Sequence, residues 1–275
     1  MIKSSVTINL VSQLKTGPWI YWDALEVSIS KAAVMGFDGV ELFTASADSV
    51  DPEFLENLLQ SFGINVSAVG TGAGKVIKGL TLTDPDAKIR ERAITYIRDM
   101  IAFGSRFRAP AIIGSMQGNA VSGIEKEQSI AWMADGLNIL GKFAEKRGVP
   151  LILEPLNRYE TNLINRLEDA AKLIGSLHTH NITLLADLFH MNIEEESISG
   201  SVRSFGSSIG HVHFADSNRS PVGNGHIQMK DIAEALKEIG YNGYISAEVF
   251  PWPDPDSAAK ATIDSFKKYF KPDEV

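Results

Sequence analysis

The chain has 275 residues, of which 44% are hydrophobic and 22% charged, and it contains 23 Gly, 11 Pro and no Cys. This composition is globular, and the length allows one large domain or two small ones. The net charge of −8 argues against a protein that neutralises nucleic-acid phosphates. The absence of Cys excludes disulfides, thiolate metal sites and a cysteine nucleophile.

The N-terminal segment MIKSSVTINLVSQLK lacks the apolar core and small-residue cleavage site of a secretory signal. No stretch of the sequence reaches the ~18 consecutive apolar residues of a membrane span. We therefore expect a cytoplasmic protein that binds neither nucleic acid nor membrane.

Short β-rich runs alternate with longer amphipathic stretches along the whole chain. The strand candidates are residues 6–10, 39–43, 65–70, 110–115, 150–156, 182–187, 211–216 and 244–249. Between them, helical periodicity is clear in residues 22–36, 51–63, 86–104, 125–148 and 229–240, whereas residues 194–208 form the weakest helical stretch. Several of these helices are expected to stop at glycine, namely at Gly36, Gly63, Gly148 and Gly240.

Eight strands alternating with helices predict an α/β fold, a single (β/α)8 TIM barrel over residues 1–275. No linker or low-complexity tract divides the chain. The longest predicted loops, residues 70–84, 158–166 and 217–229, all follow strand ends, and in such a barrel these ends form the catalytic face.

Acidic residues and one histidine stand at or just past the ends of the last four predicted strands. Glu154, Asp187, His213 and Glu248 are 33, 26 and 35 residues apart, about one βα repeat each. Any one of the carboxylates could instead cap a helix or pair with an arginine. Together, three converging carboxylates without a cation would repel one another, so we predict that the four residues hold one divalent cation. The oxygen-rich set favours Mn²⁺, with Mg²⁺ or Co²⁺ as alternatives.

Four segments of the chain resemble a known family. EPLNRYETN (154–162), ADLFHMNIEE (186–195), HVHFADSNRSPVGNGH (211–226) and AEVF (247–250) are similar to the D-tagatose 3-epimerase and D-psicose 3-epimerase family, within the xylose-isomerase-like barrels. The motifs are especially similar to the branch that includes 5-keto-L-gluconate epimerase.

The resemblance implies a ketose or keto-sugar acid as substrate and a 3-epimerase reaction by proton exchange at carbon 3 through a cis-enediolate. It assigns Glu154 and Glu248 as the acid/base pair in addition to their place among the metal ligands. It assigns Glu160, His190 and Arg219 as substrate contacts, and it suggests a homo-oligomer, a dimer or tetramer.

Three alternatives share this kind of barrel. Aldose–ketose isomerases of the hydroxypyruvate or rhamnose type and inosose dehydratase-like enzymes use related metal sites. An endonuclease IV type of DNA-repair nuclease uses three zinc ions and further His ligands on earlier strands, but the corresponding segments NVSAVG and PAIIGS contain no His.

Further polar residues have less specific interpretations. Glu41 is predicted to bond the substrate or neighbouring strand ends, and His211 should point into the barrel because it lies two positions before His213. His226 is expected to make a loop contact. His178 and His180 are expected at the surface. Residues 10–19 and 114–118 are expected to line the far end of the pocket. The segment VGTGAGK is not a phosphate-binding loop, because its lysine is followed by Val rather than Ser or Thr.

Overall fold

The structure, a computed structural model, describes residues 1–271. Eight parallel strands close into a barrel in chain order, with the last strand hydrogen-bonded to the first. The strands are β1 Lys3–Asn9, β2 Gly39–Phe43, β3 Asn65–Gly70, β4 Ala111–Ile113, β5 Leu151–Leu153, β6 Ile182–Asp187, β7 Ile209–His213 and β8 Tyr244–Ala247. The predicted (β/α)8 barrel is confirmed; residues 272–275 of the predicted domain lie outside the described residues.

Ten α-helices lie within residues 1–271. They are α1 Leu25–Met35, α2 Pro52–Phe62, α3 Ala73–Lys78, α4 Ala87–Ser105, α5 Lys126–Lys146, α6 Leu167–Ser176, α7 Leu188–Glu194, α8 Ile198–Phe205, α9 Met229–Glu238 and α10 Pro255–Phe270. Within the described residues, no helix combines the length and the apolar character needed to cross a membrane. The weakest predicted helix is present as α8, whose first turn is capped by the Ser197 hydroxyl accepting from the Gly200 N–H at 3.1 Å.

Four helices end just before the glycines predicted to stop them. Gly36, Gly63, Gly148 and Gly240 all adopt positive φ, the left-handed conformation in which a Cβ is unfavourable. The expected stops are therefore confirmed.

The prediction that residues 70–84 are a loop is wrong in part, since α3 occupies Ala73–Lys78. Glycine disfavours a helix intrinsically. Here Gly74 is buried, and a Cβ added to it would lie 2.7 Å from Met116 and 2.7 Å from Tyr96. Close tertiary packing, invisible in the local sequence, stabilises this short helix.

One part of the barrel interior is apolar. Ala68, Ile112, Ile152 and Leu185, from four consecutive strands, pack together as a separate buried cluster. Because strand side chains alternate, the residues two positions beyond Ile152 and Leu185 also face inward. These residues are Glu154 and Asp187, so the apolar cluster forms the floor beneath the predicted metal ligands.

Candidate active site

A cavity of about 400 Å³ opens at the carboxyl end of the barrel strands. It is lined by three of the predicted metal ligands, Glu154, His213 and Glu248, and by all three predicted substrate contacts, Glu160, His190 and Arg219. Active sites of such barrels occupy this end. The fold therefore brings residues that are far apart in the sequence to one cavity.

The four predicted ligands converge on one point. His213 Nδ1 lies 3.1 Å from Asp187 Oδ2, 3.3 Å from Glu154 Oε1 and 3.5 Å from Glu248 Oε2. One candidate ligand atom from each of the four residues lies within 4.8 Å of the others. The cluster predicted from repeat spacing is thus present as a geometric arrangement.

Asp187 uses its two carboxylate oxygens differently. Oδ1 accepts hydrogen bonds from the backbone N–H groups of Phe189 at 2.8 Å and His190 at 3.0 Å, and so caps the N-terminus of α7. Oδ2 faces His213 in the cluster. The two interpretations of this carboxylate, helix cap and cluster member, are therefore compatible, since the cap fixes the orientation of the second oxygen.

The buried acids of the cluster differ in their pKa values. Burial raises the pKa of Glu154 to about 7, and repulsion from Glu248 and Asp187 acts in the same direction. Burial also raises the pKa of Glu248. By contrast, the pKa of Asp187 is lowered. Burial opposes ionisation of this carboxyl group, but the Arg219 guanidinium and the imidazoles of His190 and His213 together outweigh the effect of burial.

The donor set fits a divalent cation. Glu154 Oε1 is buried and accepts no hydrogen bond, although it lies 3.3 Å from His213 Nδ1. A buried carboxylate oxygen without a partner carries a cost in free energy that a bound cation would remove. Three carboxylates and one imidazole match the ligands that hard divalent ions prefer.

His190 is held by a residue that the sequence interpretation missed. The backbone N–H of Asn157 donates to His190 Nδ1 at 3.3 Å, and Asn157 Nδ2 lies 2.7 Å from the same atom. Because Nδ1 accepts, a neutral ring carries its hydrogen on Nε2, and burial lowers the pKa of His190, which favours the neutral ring. His190 can therefore donate from Nε2 into the cavity.

Glu160 reaches His190 through the same asparagine. Its Oε1 accepts from Asn157 Nδ2 at 3.0 Å and lies 3.8 Å from His190 Nδ1. The side chain of Glu160 is 48% exposed, so it remains free to contact a ligand. The only sequence signal for Asn157 was its position between Glu154 and Glu160 in the motif EPLNRYETN.

Arg219 is the buried cation beside the cluster. Its Nη2 donates to Glu248 and, at 3.3 Å, to Asp187 Oδ2, and its guanidinium lies 4.7 Å from the centre of the Phe189 ring. Its backbone φ is 58°, a left-handed value that is uncommon for a residue with a Cβ. The loop must therefore be stabilised by other contacts.

Asp216 supplies those contacts. Its Oδ1 accepts from the backbone N–H groups of Ser217 at 2.7 Å and Ile227 at 3.1 Å, and its Oδ2 accepts from that of Gly223 at 2.8 Å. The Arg219 N–H in turn donates to the Asp216 carbonyl at 2.9 Å. Asp216 thus stabilises both the loop and the unusual backbone of Arg219.

Part of the cavity wall is apolar. It includes Trp19, Phe43, Leu156 and Phe250, together with Ile112 from the barrel floor. Residues from both segments predicted at the far end, 10–19 and 114–118, line the cavity. An apolar wall facing polar groups orients a small ligand and limits water in the cavity.

The remaining histidines lie where the sequence predicted. His226 contacts the Ser217 hydroxyl at 2.9 Å in a loop, and His178 and His180 are exposed. His211 is buried inside the barrel, where its Nε2 bonds Glu41 at 2.8 Å. Glu41 contacts strand-end residues, one of the two roles predicted for it.

Comparison with known proteins agrees with the barrel fold. The sequence profile described as xylose isomerase-like TIM barrel matches residues 29–269, most of the chain. The chain belongs to this family.

Among characterised relatives, a D-psicose 3-epimerase of Ruminiclostridium cellulolyticum is 31% identical over 234 residues, which cover 83% of this chain and 80% of that protein. A crystal structure of D-psicose 3-epimerase with D-tagatose from Clostridium cellulolyticum H10 superposes with a TM-score of 0.81 at 26% identity, over 97% of this chain and 99% of that one. The motif resemblance to ketose 3-epimerases is confirmed, and this family member is an isomerase of the epimerase type.

A third relative is named for inversion at a different carbon of its sugar. The 3-dehydro-D-guloside 4-epimerase of Escherichia coli is 34% identical over 116 residues, 42% of this chain and 44% of that protein. Its name places the inverted carbon at position 4 of a sugar that carries its ketone at position 3.

Proposed function

We propose that the protein is a divalent-metal-dependent ketose 3-epimerase whose substrate is a ketose or keto-sugar acid, with Glu154 and Glu248 as the acid/base pair. The observation that carries the proposal is the shared position of these two glutamates. Each lies just past the end of its strand, β5 or β8, and both have an oxygen within 3.5 Å of His213 Nδ1. Because β5 and β8 are separated by two strands around the barrel, their side chains enter the cavity from different sides.

Glu154, Asp187, His213 and Glu248 would hold the cation. When bound, it supplies a Lewis acid that polarises the substrate carbonyl and stabilises negative charge on the neighbouring oxygens. The donor set favours Mn²⁺, with Mg²⁺ or Co²⁺ as alternatives, because it is dominated by carboxylate oxygen.

In the proposed reaction, one glutamate acts as the base and the other as the acid. One carboxylate takes the proton from carbon 3 of the substrate, and the carboxylic acid of the other returns a proton to the opposite face, so the configuration at carbon 3 inverts. Burial raises the pKa of both carboxyl groups before a cation is bound.

Arg219 and His190 act on the charge that develops during this transfer. Removal of the proton leaves a cis-enediolate, and the Arg219 guanidinium provides positive charge within reach of its oxygens. His190 donates a hydrogen bond from Nε2, because Asn157 occupies Nδ1. Glu160 orients this histidine through Asn157 and binds a hydroxyl group of the substrate.

Hydrogen exchange at carbon 3 tests the proposal. The Mn²⁺-loaded protein is incubated in deuterated water with fructose, psicose, tagatose, sorbose and keto-acid analogues, and carbon 3 is followed by NMR after the metal is removed. We expect deuterium at carbon 3 of both epimers for at least one sugar. No exchange at carbon 3 of any of these substrates would overturn the proposal.

Single variants test the two-base assignment. With enough Mn²⁺ to saturate each variant, Glu154→Gln and Glu248→Gln should each abolish inversion, and each should leave exchange of one epimer only, because the remaining carboxylate reaches one face. Glu194→Gln is a matched control, since Glu194 is also buried but pairs with Arg158 outside the cluster. If both epimers still interconvert in either active-site variant, a pair of bases is excluded.

A 4-epimerase is the second candidate, favoured by the 34% identity to the guloside 4-epimerase. The chemistry is the same, proton exchange beside a ketone, but the ketone is at carbon 3. Deuterium at carbon 4 of a 3-keto sugar would favour it, and label at carbon 1 would favour an aldose–ketose isomerase instead. Loss of a hydroxyl group as water would indicate an inosose dehydratase-like enzyme. Cleavage of a DNA duplex that contains an abasic site would indicate a nuclease.

The remaining parts of this assignment come from the sequence alone. A homo-oligomer, a cytoplasmic location and the absence of nucleic-acid and membrane partners stay predictions. The acidic net charge of −8 supports the expectation of a small-molecule substrate over a nucleic acid.

A further inference from the structure

Glu41 on β2 lines the cavity and joins two buried histidines. Its Oε2 lies 2.8 Å from His211 Nε2, and its Oε1 lies 3.1 Å from His213 Nε2. All three residues are at most 5% exposed. Glu41 therefore contacts Nε2 of His213, whereas Nδ1 of the same ring faces the other three predicted metal ligands.

The hydrogen bonds fix which nitrogen of His213 is available to a cation. A carboxylate that bonds two imidazoles through its two oxygens accepts from both, so each Nε2 must carry a hydrogen. A neutral His213 then has its lone pair on Nδ1. Nδ1 is the atom that lies between Asp187, Glu154 and Glu248.

We infer that Glu41 is a positioning residue, which sets the tautomer and ring orientation of His213 so that Nδ1 is presented to the divalent cation. Hydrogen bonding of a ligating imidazole to a carboxylate raises its basicity, and removal of such a partner typically weakens metal affinity by about 10–100-fold. His211 occupies the other oxygen and so keeps the carboxylate from rotating away. This inference rests on the proposed function only in that His213 is taken as a metal ligand.

The register of the barrel supports this role. Glu41 pairs with Thr7 of β1 and with Ala68 of β3, both of which have short side chains. The Thr7 hydroxyl donates to the Ala247 carbonyl at 2.8 Å and so does not compete for Glu41. Glu41 can thus extend across the inside of the barrel to β7, which carries both histidines.

Metal titration of purified protein tests the inference without any turnover. Binding of Mn²⁺ to the wild type, Glu41→Gln and Glu194→Gln is measured by calorimetry and by the electron paramagnetic resonance signal of free Mn²⁺. We expect Glu41→Gln to bind Mn²⁺ about 10–100-fold more weakly and Glu194→Gln to bind as the wild type does. Equal affinity of Glu41→Gln and the wild type would overturn the inference.

The wild type alone gives an independent readout, which protects the test if Glu41→Gln does not fold. In Zn²⁺-loaded protein with ¹⁵N-labelled histidine, His213 should show a slowly exchanging Nε2–H and a metal-bound Nδ1. Metal on Nε2, or a hydrogen on Nδ1, would contradict the inference. Two Mn²⁺ ions per chain, one of them lost in Glu41→Gln, would make Glu41 a ligand of a second cation and would also overturn the positioning role.

These outcomes are separable from the proposed function. If Mn²⁺ binds as expected and Glu41→Gln weakens it, but no sugar exchanges at carbon 3, the epimerase proposal fails while the role of Glu41 stands. If exchange at carbon 3 occurs and Glu41→Gln binds Mn²⁺ normally, only the role of Glu41 fails.

Discussion

The Glu154 carboxylate lies directly against the backbone of Gly114, the residue that follows β4. A Cβ added to Gly114 would overlap Glu154 Oε2, and the next atom that it would meet is the carboxyl carbon at 3.3 Å. A side chain at position 114 and the observed position of the Glu154 carboxylate therefore exclude each other.

Gly114→Ala should move the Glu154 carboxylate out of the cluster. We expect weaker Mn²⁺ binding and epimerisation reduced about 100-fold, the order of effect that a displacement of about 1 Å has on a reacting group. Calorimetry and the rate of exchange at carbon 3 measure the two effects. Gly175→Ala is the matched control, because a Cβ there meets no atom within 4 Å. Full activity in Gly114→Ala would show that Glu154 works from another position.

Arg219→Gln should separate metal binding from catalysis. The guanidinium contacts Asp187 and Glu248, so its positive charge opposes a cation held by the same carboxylates. We expect Mn²⁺ affinity to rise about tenfold when this charge is removed. Epimerisation should still fall about 100-fold, because a donor to the developing charge is lost. A parallel fall in both quantities would indicate that Arg219 only supports the metal ligands.

Asp216→Asn should loosen the loop that carries Arg219. The amide offers an NH₂ group where the carboxylate accepted a backbone N–H, so at least one of the hydrogen bonds from Ser217, Gly223 and Ile227 is lost. We expect faster amide hydrogen exchange in residues 217–228 and kcat/KM lowered about tenfold, with unchanged Mn²⁺ affinity. Asp231→Asn, an exposed residue just after this loop, serves as the control. Unchanged exchange rates in residues 217–228 would contradict the role assigned to Asp216.

The pair of Glu194 and Arg158 predicts a pH-dependent contribution to stability. Glu194 is buried and accepts from the backbone and side chain of Arg158 at 2.7 to 3.0 Å. Burial opposes ionisation, but these hydrogen bonds outweigh it and hold the pKa of Glu194 below its ordinary value of 4.5. A carboxyl group whose pKa is lowered by folding stabilises the protein at pH values above its ordinary pKa. This contribution is lost as the pH falls through the pKa of the folded state.

Glu194→Gln should accordingly lower the free energy of unfolding by about 1–2 kcal/mol at pH 7. The difference from the wild type should shrink as the pH falls below 4.5. Urea unfolding of both proteins between pH 7 and pH 3.5 measures it. A difference that stays constant or grows in acid would show that ionisation of Glu194 is not the source.

The sequence by itself determined the eight strands and the four clustered residues. Both follow from periodicity: side chains alternate along a strand, and each βα repeat returns the chain to the same end of the barrel. Glu154, Asp187, His213 and Glu248 could therefore be placed together without any knowledge of their contacts. Helix ends at glycine were determined in the same way, because the left-handed conformation is a local property.

Tertiary structure alone decided which partners hold these residues in place. Asn157 on His190, Glu41 on His213 and Gly114 against Glu154 are contacts between positions 33 to 172 residues apart, and no local pattern marks them. The short helix α3 formed against local propensity for the same reason, because its glycine packs on distant side chains. The sequence specified the chemical groups of the site, whereas closure of the barrel set their orientation.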